Sequence, residues 1–151
     1  MKISDILRVK GSTLFTVTPD VPLAEAVDVM AENDIGSLVV MEHGNLVGML
    51  TFREVIMVLA KSGGSVGAVL VRKAMDDSPV TCTMETELDE IRRIMLEHHA
   101  RYMPVMDQRM LMGVVSFYDV AKAVVDSQNF ENKMLKAYIR DWPAEEDSKD
   151  S

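Results

Sequence analysis

Apolar residues along the chain form two patterns, and each pattern occurs twice. Around residues 23–31 and 88–95 they recur every three or four positions, which predicts two amphipathic helices. After each helix, two apolar runs flank a short polar turn, "HGN" first and "QRM" later, which indicates a pair of antiparallel strands. A short strand, "LFTV" or "PVTC", precedes each helix, and a further helix follows each strand pair. The pattern therefore predicts the order β-α-β-β-α twice.

The two occurrences are copies of one sequence. A displacement of 65 residues aligns 21–56 with 86–121 without a gap, and ten of the 36 pairs are identical. Unrelated sequences would share roughly two or three such pairs. A unit of about 60 residues buries little apolar surface on its own. We therefore expect an α/β (α+β) fold in which two tandem repeats pack as a pseudo-twofold pair, followed by a C-terminal helix.

The chain divides into four predicted segments. Repeat one spans 1–65 and repeat two spans 66–126, with the glycine-rich stretch "KSGGSVGA" at the joint. A helical extension is predicted over 127–142, where no Gly or Pro occurs. Its large apolar residues could pack on their own domain or on a partner, and both interpretations stay open. The polar, acidic residues 143–151 are expected to form a disordered tail.

Composition and charge narrow the functional classes. The 151 residues are 48% apolar and 26% charged, as in a soluble globular protein. No uncharged apolar run approaches the roughly 18 residues of a membrane helix, and the net charge of −8 argues against a nucleic-acid-binding surface. The single cysteine excludes a disulfide within the chain and favours a reducing compartment. No apolar signal-peptide core occurs near the start, so we expect a cytoplasmic protein. From the charge and the absence of a long apolar run, we expect it to bind neither nucleic acid nor membrane.

The segments "GMLTFRE" and "GVVSFYD" are repeated junctions between a strand and a helix. Thr51 and Ser116 stand where a helix N-cap is expected, and Glu54 and Asp119 follow three residues later. One interpretation is a capping box that only satisfies the helix terminus. The other is a binding site, because a helix N-terminus attracts phosphate, a hydroxyl can donate to it, and a carboxylate accepts from ribose hydroxyls. Two matching copies favour the binding site, and the glycine in each junction leaves room for a ligand or another backbone.

Other candidate chemistry is sparse. His98 and His99 are adjacent on a predicted helix, so their side chains diverge by about 100° and we predict no metal site. Cys82 has no neighbouring signal of thiolate activation and is expected to be buried. The pattern pairs no nucleophile with a base, so we predict no catalytic residues and no enzymatic activity.

The duplicated layout resembles a tandem pair of cystathionine-β-synthase (CBS) domains, the arrangement called a Bateman module. The family signature, Gly–apolar–x–Ser/Thr–x–x–Asp before the last helix, is met in full by Gly113, Ser116 and Asp119. A second landmark of the family is matched by "RYMPVMD", residues 101–107. The opening of the chain and the strand "IGSLVV" also look like small stand-alone members of the family. The resemblance covers about residues 2–126.

This resemblance implies that an adenosyl ligand, such as AMP, ADP, ATP, NAD or S-adenosylmethionine, binds in clefts between the repeats, with no obligatory cofactor. In such modules the Ser or Thr contacts phosphate, the Asp contacts ribose, and apolar strands enclose adenine. The contacts implied in repeat two are Ser116, Asp119, Thr81, Cys82, Met103 and Pro104. Those implied in repeat one are Thr51, Arg53, Glu54, Phe15, Thr16, Gly36 and Ser37. The implied additional phosphate partners are Arg101 and Lys10.

Repeat one departs from the family pattern, because Glu54 stands where the family prefers Asp. The extra methylene moves the carboxylate by roughly 1.5 Å, which could spoil the ribose contact. The family also typically forms dimers. We therefore predict a homodimeric regulatory module that binds an adenine nucleotide and transmits a conformational change to an unknown regulated protein. The alternative is a scaffold that holds a partner protein without any ligand.

Overall fold

The computed structural model describes residues 1–11 and 13–140, and these residues form six helices and five strands. The helices are α1 (Ile3–Lys10), α2 (Leu23–Asn33), α3 (Phe52–Ser62), α4 (Val71–Ala74), α5 (Leu88–His98) and α6 (Phe117–Arg140). The strands are β1 (Thr16–Val17), β2 (Ser37–Glu42), β3 (Asn45–Thr51), β4 (Tyr102–Asp107) and β5 (Met110–Ser116). The mixed fold with two tandem repeats is confirmed. The end of the predicted extension, 141–142, and the predicted tail, 143–151, lie outside the described residues.

The strand pairs of the two repeats have the same register. Ser37 pairs with Thr51 in one hairpin, and Tyr102 pairs with Ser116 in the other. Each hairpin also contains a register shift at the equivalent place, after Val40 in β2 and after Val105 in β4. Because a shift of one residue would reverse which side chains face the core, this shared register places both strand-to-helix junctions equivalently.

The first strand is formed in repeat one only. There β1 pairs in parallel with β2, and the Val39 N–H donates to the Phe15 carbonyl at 3.2 Å. In repeat two the residue equivalent to Val39 is Pro104, which has no N–H to donate. The strand predicted at "PVTC" is therefore reduced to a single parallel bridge between Cys82 and Val105.

The first helix of each repeat packs on the other repeat. Helix α1 buries Ile3, Ile6 and Leu7 in the core of repeat two, against residues of α5, β4, β5 and α6. Burial of each such side chain stabilises the fold by about 1.5–3 kcal/mol. The backbone joins this contact as well, since Ile3 N donates to Thr86 O at 3.0 Å.

Helix α4, the first helix of repeat two, belongs in the same way to the core of repeat one. Val71 is fully buried there, and its N–H donates to Val21 O at 3.0 Å. Arg72 adds an exposed ion pair, donating to Asp20 at 3.1 Å and to Glu42 at 2.6 Å. The repeats therefore exchange their leading helices.

The junction glycines admit these exchanged segments. A Cβ atom on Gly113 would lie 3.0 Å from Cδ1 of Leu7 in α1. A Cβ atom on Gly48 would lie 2.6 Å from Sδ of Met75 and 2.8 Å from the Asp76 carbonyl oxygen, just after α4. The sequence predicted that these glycines leave room for a ligand or for another protein segment. In the structure, a protein segment occupies the space beside each of them.

Among the described residues, no helix is both long enough and apolar enough to cross a bilayer.

Candidate functional site

A cleft of about 1220 Å³ lies between the repeats, and both strand-to-helix junctions open into it. Its walls come from the loop before β1, from the ends of β3 and β5, and from the first turns of α3 and α6. The sequence-predicted residues that line it are Lys10, Phe15, Gly36, Ser37, Thr51, Arg53, Glu54, Arg101 and Ser116. Residues distant in the sequence are therefore brought together at one site.

The remaining predicted residues lie outside this cleft. Thr16 lines a shallower depression of about 530 Å³, together with Met41 and Arg109. Met103 and Pro104 are buried in the second hairpin, and Thr81 is exposed. Asp119 is not on the cleft wall but is hydrogen-bonded to two residues that are, Ser116 and Lys10.

Cys82 is buried, as predicted, and its thiol lies 3.7 Å from the Pro104 carbonyl oxygen. Burial raises the pKa of the Cys82 thiol to about 12. At neutral pH the group is therefore a protonated thiol that contributes packing.

The start of α6 holds Ser116 and Asp119 in a reciprocal pair of hydrogen bonds. Ser116 N donates to Asp119 Oδ2 at 2.9 Å, and Asp119 N donates to Ser116 Oγ at 3.0 Å. The capping box that the sequence allowed is thus formed. However, the Ser116 hydroxyl acts only as an acceptor here, and among the described residues it donates to no other group. Its proton is available to a further acceptor in the cleft.

Lys10 supplies a positive charge to this junction from the end of α1. Its ammonium group donates to Asp119 Oδ2 at 2.6 Å and to the Val114 carbonyl oxygen at 2.8 Å. The Lys10 side chain is 39% exposed and that of Asp119 is 16% exposed, so the pair is partly shielded from water. The exchange of α1 between the repeats is what places this cation beside the carboxylate of repeat two.

The start of α3 carries the equivalent pair, Thr51 and Glu54, in a different arrangement. Glu54 Oε1 accepts from the Thr51 N–H at 2.8 Å and from the Thr51 hydroxyl at 2.6 Å. The Arg53 N–H in turn donates to the Thr51 hydroxyl oxygen at 3.2 Å. The other carboxylate oxygen, Oε2, lies 3.8 Å from the Arg53 guanidinium, and Glu54 as a whole is only 9% exposed. This junction satisfies its own polar groups.

Two aromatic residues that were not among the predicted site residues, Tyr102 and Phe52, cover part of repeat one. A Cβ atom on Gly36 would overlap the Tyr102 hydroxyl and would lie 2.9 Å from Cε2 of Phe52. Tyr102 comes from repeat two, so it reaches across the cleft to the backbone of repeat one. No local sequence pattern predicts this contact. In the alignment of the two repeats, Tyr102 corresponds to Ser37.

The cleft is less acidic than the rest of the protein. Its wall carries three cationic side chains, Lys10, Arg53 and Arg101, against the two carboxylates of Glu54 and Asp76. His98 and His99 line it as well. In the described part of the chain, no three His, Cys, Asp or Glu side chains converge as ligands of a metal ion. Because Asp119 behind the wall pairs with Lys10, three cations and three carboxylates surround the cleft, whereas the whole chain has a net charge of −8.

Two features now define the protein's class, a doubled α/β unit and a doubled capped junction on one cleft. The sequence profile of the CBS domain matches residues 3–61 and 70–126. The chain therefore belongs to the CBS domain family, and it contains two copies of that domain.

Several relatives extend over both repeats. The chain is 31% identical over 148 residues to the mitochondrial CBS domain-containing protein CBSX3 of Arabidopsis thaliana, with 91% of this chain and 71% of the relative covered. The crystal structure of the CBS-domain-containing protein ATU1752 from Agrobacterium tumefaciens superposes with a TM-score of 0.78 at 31% identity, covering 82% of this chain and 98% of that one.

Two solved structures of similar fold contain adenosyl compounds. CBSX2 in complex with AMP has a TM-score of 0.70, and the CBS domain pair of MJ0100, in complex with 5′-methylthioadenosine and S-adenosyl-L-methionine, has one of 0.72. Each is 22% identical to this chain and covers 84% of it, while 98% of the solved chain is matched. At this identity the likeness establishes the shared fold.

Proposed function

We propose that the protein is a non-enzymatic regulatory module that binds an adenosyl ligand in the cleft between its repeats. The observation that carries this proposal is the junction at the start of α6. There an unused hydroxyl proton on Ser116, the Asp119 carboxylate and the Lys10 ammonium surround one helix N-terminus. The complexes of CBSX2 with AMP and of MJ0100 with S-adenosyl-L-methionine support an adenosyl compound as the ligand class.

Each group has a chemical role in this proposal. The Ser116 hydroxyl and the first N–H groups of α6 donate to phosphate, which the helix dipole also favours. Asp119 lies behind the wall residues Ser116 and Lys10, and its Oδ1, which accepts no hydrogen bond within the described structure, receives a ribose hydroxyl that reaches past them. Apolar lining residues such as Val80 and Val114 flank the space for adenine. The cleft volume of about 1220 Å³ is ample, since ligand pockets usually measure about 300–1,000 Å³.

The signal would be a population shift. Since the cleft wall is built from both repeats, a ligand that contacts both favours one packing of the repeats over others. That packing is then read by another protein. AMP, ADP, ATP, NAD and S-adenosylmethionine are the candidate ligands, and the proposed location is the cytoplasm, where an unpaired thiol such as Cys82 stays reduced.

Helix α6 favours a second function, a protein-interaction scaffold, and also supports the proposed homodimer. Its core-facing side buries Val120 and Ala123, and the apolar residues continue along the helix after the core ends. The large apolar residues beyond the core, each more than half exposed, are Phe130, Met134, Leu135, Tyr138 and Ile139. Methionine and aromatic residues are enriched in protein interfaces. Sedimentation of the purified protein as a monomer at micromolar concentration would contradict the homodimer.

The ligand proposal is tested by thermal melts with each of the five candidate compounds. A ligand present at about 100 times its dissociation constant stabilises the folded state by about 2.7 kcal/mol, which is a shift of several degrees for about 150 residues. We expect one compound to raise the melting temperature of the wild type and not of Asp119→Ala. Asp126→Ala, which removes an exposed carboxylate paired with Lys122 on the same helix, is the matched control and should respond like the wild type.

No shift with any compound at millimolar concentration would contradict ligand binding and favour the scaffold. An equal shift in Asp119→Ala would show that the site lies elsewhere. Either result leaves the fold unaffected.

A further inference from the structure

We infer that the cleft binds one adenosyl ligand per chain, at the α6 junction, and that Glu54, Thr51 and Tyr102 close the equivalent place at the α3 junction. This inference rests on the proposed function and specifies its stoichiometry and its site. The sequence shows that Glu54 stands where repeat two has Asp119, and the structure adds how the hydrogen bonds and Tyr102 distinguish the two junctions.

The two hydroxyl groups differ in the direction of their hydrogen bonds. A hydroxyl has one proton to donate. Thr51 donates its proton to Glu54 Oε1 at 2.6 Å, whereas Ser116 accepts from the Asp119 N–H and keeps its proton. For Thr51 to donate to a phosphate it would first have to give up a bond to a charged acceptor, which is the stronger class of hydrogen bond. Ser116 can donate without losing any bond.

The two carboxylates differ in the same sense. Both oxygens of Glu54 have partners within its own junction, the Thr51 groups at Oε1 and the Arg53 guanidinium at Oε2. The bonds to Asp119 both end on Oδ2, and its Oδ1 has no partner among the described residues. The extra methylene of glutamate explains the difference, because it lets Oε1 reach the threonine hydroxyl as well as the backbone N–H.

The positive charges are also distributed unequally. At the α6 junction the Lys10 ammonium uses two of its three N–H groups, on Asp119 and Val114. The third is available to a phosphate oxygen. At the α3 junction the Arg53 guanidinium already faces Glu54 Oε2 at 3.8 Å.

Tyr102 removes space at the α3 junction. Its hydroxyl contacts Gly36, and the Phe52 ring lies close to the same backbone atom. A ligand approaching Gly36 would have to displace the side chain of Tyr102, whose backbone pairs with Ser116 between β4 and β5. Tyr102, which closes the α3 junction, is therefore the strand partner of Ser116, the hydroxyl residue of the α6 junction.

Stoichiometry tests the inference without any substitution. We would titrate the wild-type protein with AMP and with ATP by isothermal calorimetry and confirm the ratio by equilibrium dialysis. The expected ratio is one ligand per chain. A ratio of two would overturn the inference and leave the proposed function standing. Absence of binding by AMP, ATP and the other three candidates would overturn both.

A matched pair of substitutions identifies the junction. Ser116→Ala is expected to weaken binding at least tenfold, and Thr51→Ala is expected to change the dissociation constant less than twofold. Circular dichroism checks that both variants are folded, since each also loses part of a helix cap. A loss of binding in Thr51→Ala equal to that in Ser116→Ala would overturn the inference.

Two of the residues that close the α3 junction, Glu54 and Tyr102, can then each be replaced by the equivalent residue of the other repeat. Glu54→Asp reproduces Asp119, and Tyr102→Ser reproduces Ser37, the equivalent residue of repeat one. The double variant is expected to bind two ligands per chain. A ratio that stays at one would overturn the assignment of closure to Glu54 and Tyr102.

Discussion

Alanine at position 48 provides a quantitative test of the helix exchange. The added Cβ would lie 2.8 Å from the Asp76 carbonyl oxygen and 2.6 Å from Met75 Sδ. Asp76 cannot move away freely, because it exchanges two backbone hydrogen bonds with Met49, each 2.9 Å long. Gly48→Ala must therefore either compress this contact or displace the segment after α4.

The expected cost follows from two destabilising contributions and one stabilising contribution. Overpacking costs about 1–3 kcal/mol, and losing one or both backbone bonds adds about 1 kcal/mol each. Replacing glycine within a strand by alanine returns about 0.5–1 kcal/mol. We therefore expect Gly48→Ala to lower the free energy of unfolding by about 2–3 kcal/mol. For a chain of about 150 residues this corresponds to a melting temperature lower by roughly 4–12 °C.

Gly113→Ala is the matched control, because its Cβ would meet only side-chain carbons of Leu7, at 3.0 and 3.2 Å. A flexible side chain can adjust by the few tenths of an ångström needed, so the net cost should be about 0–1 kcal/mol. Urea unfolding followed by circular dichroism measures both variants. Equal costs, or a larger cost for Gly113→Ala, would refute the packing described for Gly48.

Two further predictions concern ionisable groups. Because burial raises the pKa of the Cys82 thiol to about 12, we expect a thiol reagent at about pH 8 to react far more slowly with the folded protein than in concentrated guanidinium chloride; similar rates would contradict its burial. The Arg72 side chain lowers the pKa of Asp20 below its ordinary value of 3.8. The stability that this pair contributes is therefore complete above the unfolded-state pKa and is lost as the pH falls through the folded-state pKa. Urea unfolding should show a difference between wild type and Asp20→Asn near neutral pH that shrinks towards about pH 3, and a difference independent of pH would refute the assignment.

Local patterns predicted the hairpin and the two longer helices of each repeat, but not the leading helices α1 and α4. Hairpins can be predicted from alternating apolar and polar residues and from turn residues. The pairing of β4 with β5 has the same register as that of β2 with β3, offset by 65 residues. The missing first strand of repeat two was a wrong prediction that the sequence could have corrected. Pro104 stands at the position whose N–H would pair with that strand, and proline has none.

The exchange of α1 and α4 could not be predicted in this way. The apolar face of α1, with Ile3, Ile6 and Leu7, shows that the helix needs a core. It does not show which of two similar cores the helix joins, because that choice depends on the path of the chain between the repeats.

The sequence predicted the residue types at both junctions and identified Glu54 as the departure in repeat one, but it did not predict the hydrogen bonds that distinguish the junctions. A hydroxyl and a carboxylate three residues apart indicate a capped helix start in both repeats. Whether the hydroxyl donates, as in Thr51, or only accepts, as in Ser116, depends on one methylene group of the carboxylate. The approach of Tyr102 to Gly36 depends on how the repeats pack, which is a tertiary property.

The exchange of α1 and α4 between the repeats also affects the rate and the cooperativity of folding. Lys10 at the end of α1 bonds to Val114, 104 residues further along, so the N-terminal helix finds its core only after nearly all of repeat two has been synthesised. Closing so long a loop costs entropy before any contact is formed, which slows the folding of such topologies. Each repeat completes the other's core, so the two halves should unfold in one cooperative transition. A cut in the glycine-rich joint between the repeats would leave each fragment carrying a helix that belongs to the other.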